Sequence, residues 1–175
     1  YHYDKGQSQR NRIIAMTESF HGRTIAAINA SANPVHCEGF LVGDCGFDQA
    51  KFGDLESLKQ LIGENTAGII LEPVQGEGGI RVADTEYLKE VRRLCNEHDL
   101  VLMFDEVQCG MARSGSLYAY EQLGVEPDLL ASAKGLGGGF PVGACLARES
   151  FSQSMVPGTH GSTFGGNPLA MAVAN

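Results

Sequence analysis

Five short runs of apolar residues, none of them alternating, constrain this chain most. They are Arg12-Ile-Ile-Ala-Met16, Ala67-Gly-Ile-Ile-Leu71, Leu100-Val-Leu-Met-Phe104, Asp128-Leu-Leu-Ala-Ser132 and Val142-Gly-Ala-Cys-Leu146. A strand with one wet face alternates apolar and polar residues; a strand that is apolar throughout needs cover on both faces. Helical patterns lie between the runs. Asp54 reads as an N-cap for a helix with Leu55, Leu58, Leu61 and Ile62 on one face. Asp84 or Thr85 caps the next, with Tyr87, Leu88, Val91, Leu94 and Cys95 inward and Glu86, Glu90, Arg92 and Arg93 outward. Further helices are expected near residues 24–30, over 116–123 and from Asn167-Pro168 onward, and the Pro- and Gly-punctuated stretch 34–52 reads as irregular. Strands and helices in alternation predict an α/β fold: a central, mostly parallel sheet with helices on both faces. The chain of 175 residues can bury one core, but its last apolar helical run, from 168 to 175, stops without a cap and reads as part of a longer protein.

Composition removes several classes. There are 13 basic and 21 acidic residues, a net charge of -8, and no basic cluster, which argues against a nucleic-acid partner. Apolar residues at 43% and charged residues at 19% do not suit a disordered chain. No apolar run approaches the ~18–20 residues of a membrane span. Cys37, Cys45, Cys95, Cys109 and Cys145 are odd in number, widely spaced and without C-x-x-C, so reduced, buried thiols in a cytoplasmic protein are expected. His2, His21, His36, His98 and His160 have no ligand spacing, and no metal is expected.

Ligands of open parallel sheets bind beyond the carboxyl ends of the strands. After the run ending at Leu71 comes Glu72-Pro-Val-Gln-Gly-Glu-Gly-Gly79; after Phe104 comes Asp105-Glu-Val-Gln-Cys-Gly110; after Ser132 come Ala133, Lys134 and Gly135-Leu-Gly-Gly-Gly139. No G-x-x-x-x-G-K-[ST] occurs, and Phe140 stands where a G-x-G-x-x-G pattern begun at Gly135 needs its last glycine, so both nucleotide readings fail. A lysine at one strand end and an acid at the next are the pair that pyridoxal phosphate chemistry needs. The amine holds the aldehyde as a Schiff base, and the carboxylate keeps the ring nitrogen protonated. By spacing alone, a pair such as Asp105 and Lys134 is most often a solvated salt bridge. Lysine between an apolar strand and a run of glycines is nonetheless unusual, because no cap or turn requires it there.

Five segments carry a resemblance: Ser19-Phe-His-Gly-Arg-Thr24, Glu72-Pro-Val-Gln-Gly-Glu-Gly-Gly79, Phe104-Asp-Glu-Val-Gln-Cys-Gly110, Ser132-Ala-Lys-Gly-Leu-Gly-Gly-Gly-Phe-Pro141 and His160-Gly-Ser-Thr-Phe-Gly-Gly-Asn-Pro168. In order and spacing, from about Arg12 onward, the chain resembles the class III, fold-type I aminotransferases, which depend on pyridoxal 5'-phosphate. The resemblance implies the following roles. Lys134 is the Schiff-base lysine, moving a proton between the substrate α-carbon and cofactor C4′, with burial helping to keep its amine neutral. Asp105 pairs with the pyridine nitrogen, and Gln108 hydrogen-bonds the ring hydroxyl oxygen. Phe20 stacks on one ring face and Val107 packs on the other. Arg23 clamps the substrate α-carboxylate. Glu77 is a switch that pairs with an arginine outside this chain. Ser162 and Thr163 bind the cofactor phosphate of a neighbouring subunit, which implies a homodimer. Glu72 and Glu106 are structural, and His21 shapes the pocket.

The resemblance further implies that residues 1–175 are part of a large, cofactor-binding domain, with a second phosphate loop and a small domain lying outside them. Its implied reaction moves the δ-amino group of N²-acetylornithine to 2-oxoglutarate, within arginine biosynthesis. Ornithine, succinylornithine and 4-aminobutyrate are the alternative donors, and a non-catalytic scaffold is the alternative from another class. One departure stands out: Ala112-Arg113-Ser114-Gly115 replaces the family's frequent Gly-Arg-Thr-Gly and is expected to alter the turn locally. Of 23 glycines, 12 fall in the five segments and read as backbone making room for a ligand.

Overall fold

The structure, a computed structural model, describes residues 1–40 and 44–175. Among these the chain runs β1 (Arg12–Met16), α1 (Ile25–Ser31), α2 (Pro34–Cys37), β2 (Phe47–Ala50), α3 (Leu55–Lys59), β3 (Thr66–Leu71), β4 (Val74–Gln75), β5 (Arg81–Val82), α4 (Thr85–Glu97), β6 (Val101–Asp105), α5 (Ala119–Leu123), β7 (Leu129–Ser132), a 3-10 turn (Lys134–Gly137), β8 (Ala144–Ala147), α6 (Glu149–Ser152) and α7 (Pro168–Ala174). Six strands form one sheet in the order β2-β1-β3-β6-β7-β8. All its pairings are parallel except the last, β7 with β8, as in the registers Ile14↔Ile69, Ile70↔Met103, Phe104↔Leu130 and, antiparallel, Leu130↔Leu146. The expected α/β sheet is present.

Its core follows from the apolar runs. Ile14 and Met16 of β1, Ile69 and Leu71 of β3, and Leu102 and Phe104 of β6 meet Leu58 of α3 and Tyr87, Leu88, Val91, Leu94 and Cys95 of α4 in one buried cluster. Each fully buried aliphatic or aromatic side chain there contributes about 1.5–3 kcal/mol. Ile28 and Ala30 of α1 are buried outside that cluster, and α1 packs on β1 and β2. The caps form as read: Asp54 accepts from the Ser57 N–H at 3.0 Å, and Asp84 from the N–H groups of Glu86 and Tyr87 at 2.9 and 3.1 Å. No helix of the described residues is long and apolar enough to cross a membrane.

Four expectations need correction. The stretch 34–52 holds a short helix and a strand, with residues 41–43 outside those described. Phe47-Asp-Gln-Ala50 escaped notice because an edge strand, paired on one side only, tolerates polar residues. Arg92 turns inward: its Nη1 donates to Asp128 Oδ2 at 2.9 Å, and the same oxygen accepts the Leu102 N–H at 2.8 Å. One buried carboxylate thereby ties α4 to β6. Cover on both faces fails for β8, whose four residues are all exposed. Cys37, Cys95 and Cys109 are buried as expected, but Cys45 and Cys145 are exposed. Burial pushes the thiols of Cys95 and Cys109 up to about 12, so both stay uncharged and unreactive.

The departure at Ala112 has a conformational meaning. Ala112 takes φ +61°, in the left-handed region, with its N–H bonded to the Leu117 carbonyl at 3.1 Å. That conformation costs a residue with a Cβ about 1–2 kcal/mol, and glycine's greater freedom in the unfolded chain offsets part of the gain from relieving it. Ala112→Gly is therefore expected to stabilise the protein by roughly 0.5–1 kcal/mol, or about 1–4 °C in Tm. Thermal unfolding of the two proteins side by side checks this, and a fall in Tm contradicts it.

Candidate active site

The parallel strands all end on one edge, and four loops meet there: those after β1, β3, β6 and β7. They enclose a cavity of about 200 Å³ lined by Phe20, His21, Gly22, Glu72, Glu77, Asp105, Val107, Gln108 and Lys134. A wider cleft of about 630 Å³, reaching Ile80, Val82 and Arg113, shares Glu77 and Gln108 with it. Seven of the nine lining residues carry a cofactor, substrate or pocket-shaping part in the resemblance: Phe20, His21, Glu77, Asp105, Val107, Gln108 and Lys134.

Asp105 is the last residue of β6 and is buried. Its Oδ1 accepts the Val107 N–H at 3.1 Å, and its Oδ2 lies 2.8 Å from Nδ1 of His21. The loop that carries Phe20 and His21 is pinned at several points. The Phe20 N–H donates to Glu72 Oε2 at 3.1 Å, the His21 N–H to Ser31 Oγ at 2.9 Å, and the fully buried Gln75 donates to the Thr17 carbonyl at 3.0 Å. Burial, partly offset by the Phe20 N–H, pushes the Glu72 carboxyl above the usual carboxylate range. Glu72 is thus structural, as the resemblance implies, but it ties down the β1 loop and also lines the cavity.

Glu106 points away from the cavity and is fully buried. Its carboxylate accepts the N–H groups of Ala119 and Tyr120, at 2.6 and 2.8 Å, at the start of α5. A carboxylate suits the positive end of a helix. Desolvation nevertheless outweighs those bonds and raises its pKa.

Lys134 opens the 3-10 turn with φ +48°, a left-handed conformation for a residue with a Cβ. It lines the cavity and is exposed among the described residues. Arg23 does not line the cavity; its guanidinium carbon stands 5.5 Å from the centre of the Phe20 ring, a cation–π contact at the rim. Ser162 and Thr163 are exposed and are not among the nine lining residues. The helix that follows them, α7, packs on the Lys134 turn.

Three of the glycines here make room for the chain itself. A Cβ on Gly76 would sit 1.1 Å from Gln108 Oε1, one on Gly110 would meet the Glu106 carbonyl at 2.7 Å, and one on Gly135 would meet Met111 at 2.9 Å. Gly76 lies in the turn between β4 and β5, a small antiparallel hairpin that sequence reading missed because two-residue strands carry no periodic signal. The contact of His21 with Asp105 was missed as well. It joins residues 84 positions apart and has no local signature.

A sequence model described as class-III aminotransferase matches residues 1–175. The chain belongs to the class-III aminotransferases. It is 54% identical over its whole length to the acetylornithine aminotransferase of Agrobacterium fabrum, of which it spans 44%. Among solved structures it resembles the ornithine aminotransferase of Toxoplasma gondii, at a TM-score of 0.89 and 38% identity over 94% of this chain and 40% of that one. An (S)-enantioselective omega-transaminase from Thermomicrobium roseum matches at a TM-score of 0.89 and 30% identity, over 99% of this chain and 44% of that one.

Proposed function

We propose that these residues form the cofactor-binding part of the large domain of a pyridoxal-phosphate aminotransferase, one that moves the δ-amino group of N²-acetylornithine to 2-oxoglutarate. The observation that carries this is the meeting of Asp105, Gln108, Phe20, Val107 and Lys134, from three loops of one sheet edge, around a single cavity. The similarity to acetylornithine aminotransferases over the whole chain supports the substrate. The full protein is proposed as a cytoplasmic homodimer acting in arginine biosynthesis.

The cavity suits the ring of the cofactor. Asp105 has both oxygens anchored and lone pairs to spare, which fits a protonated ring nitrogen. The cavity suits the phosphate less well, because three carboxylates (Glu72, Glu77 and Asp105) line it against one lysine. The hydroxyls of Ser162 and Thr163 and a glycine-rich loop elsewhere in the full protein are assigned that part. Bound here, pyridoxal phosphate supplies an aldehyde that takes up the amino group and a protonated ring that draws electrons from the reacting carbon. Phe20 and Val107 would hold the ring, Gln108 would donate to its oxygen, and Lys134 Nζ would bind the aldehyde; as a free amine, Lys134 would move the proton at the carbon that bears the transferred amino group. Arg23 receives the α-carboxylate, and Glu77, on the wall shared with the wider cleft, faces the rest of the substrate.

Full-length protein given pyridoxal phosphate is expected to turn yellow. Of N²-acetylornithine, ornithine and 4-aminobutyrate, the first should bleach that colour fastest in a single-turnover half-reaction. Faster bleaching by ornithine replaces the substrate. Absence of any visible band overturns the enzyme reading.

A further inference from the structure

Resting on that reading, we propose that His21 is a positioning residue, which holds the Asp105 carboxylate in one orientation and reaches the chemistry only through it. The geometry is specific. The His21 side chain is 4% exposed and that of Asp105 9%, with 2.8 Å between Nδ1 and Oδ2. With Oδ2 as the acceptor in this contact, Nδ1 carries the proton. The other carboxylate oxygen takes the Val107 N–H, so the two donors fix the carboxylate plane from both sides. The backbone that carries the ring is itself held: the main-chain N–H of His21 donates to Ser31 Oγ, whose hydroxyl donates to the Ala27 carbonyl within α1.

A second observation separates this from ordinary packing. Nε2 of His21 is buried and has no hydrogen-bond partner among the described residues. Buried polar atoms are paired in the great majority of cases. An apolar side chain would fill this space without leaving such an atom, so the ring is accounted for by what Nδ1 does. With the Nδ1–H bond in place, the Asp105 carboxylate would stay aimed at the ring nitrogen of the cofactor; without it, the carboxylate would be free to turn and the ring would be held less well.

The test compares His21→Asn with His21→Gln in the full-length protein. The asparagine amide can take the place of Nδ1, whereas the longer glutamine places its amide near Nε2. Expected for His21→Gln are cofactor binding about tenfold weaker, from titration of the apoprotein, and kcat about ten- to a hundredfold lower with the amino donor's KM within about threefold; His21→Asn should recover both to within about threefold of wild type. Equal losses in the two variants, or no loss in either, overturn the proposal in favour of simple packing. Ring nitrogen chemical shifts of His21 in cofactor-free wild type supply a measurement that needs neither variant to fold nor any cofactor. A proton on Nδ1 supports the contact, and one on Nε2 alone overturns it. A wild type that forms no visible band sinks the enzyme reading instead, and the ring-nitrogen shifts still decide whether His21 holds Asp105.

Discussion

Lys134→Ala in the full-length protein is expected to abolish the borohydride-stable attachment of pyridoxal phosphate and to slow transamination by at least ~10³-fold, since a positioned acid–base group alone contributes about 10²–10⁴-fold. The fold should survive. Lys134 is exposed, caps nothing with its side chain, and sits in a conformation that alanine tolerates no worse than lysine. Tm within about 3 °C of wild type is therefore expected, as for other surface substitutions. Peptide mapping after reduction gives the decisive reading. A cofactor-labelled peptide that persists in the variant, on Lys5, Lys51, Lys59 or Lys89, rejects the assignment of Lys134.

Glu106→Ala is expected to be the most destabilising single change near the site, by about 2–4 kcal/mol. It strands the buried N–H groups at the start of α5, and each hydrogen bond to a charged group is worth about 1.5–3 kcal/mol, less what is regained by no longer burying a charge. For a chain of this size that is roughly 4–16 °C in Tm. Glu106→Gln, which keeps an acceptor, should lose only about 1 kcal/mol at pH 7. The pH dependence has a definite sign. Burial raises the folded pKa of Glu106 above its ordinary 4.5, so the native state binds its proton more tightly than the unfolded state does. The stability this supplies is fully present below 4.5 and is lost as pH rises through the folded value. The advantage of wild type over Glu106→Gln in urea unfolding should therefore grow from pH 7 towards pH 5. A constant or shrinking difference contradicts this account of Glu106.

Much of this was legible in the sequence because the inner strands are apolar through their centres. Ile13-Ile14, Ile69-Ile70-Leu71 and Leu102-Met-Phe104 left only a covered, parallel sheet, and a parallel sheet in turn places Glu72, Asp105 and Lys134 at one edge. What stayed hidden depends on partners rather than pattern. Arg92 looks like any outward arginine on α4 until Asp128 is found beneath it. Gly76 looks like a ligand-approach glycine until Gln108 is seen to occupy its missing side chain. The exposure of β8 could not be read from Ala144-Cys-Leu-Ala147, because apolarity predicts that a strand needs cover and says nothing about which residues provide it.

Strand order has a consequence for how the molecule assembles. Phe20 hangs from β1 and Lys134 from β7, and β3 and β6 lie between those strands in the sheet. Neither hairpin formation nor any single crossover brings the two residues together, and non-local parallel pairings of this kind form slowly. A refolding chain accordingly has no half-built pocket to offer early on. Ligand added during refolding can trap only molecules in which the four central strands have already docked, so the appearance of bound colour would time the last of those dockings.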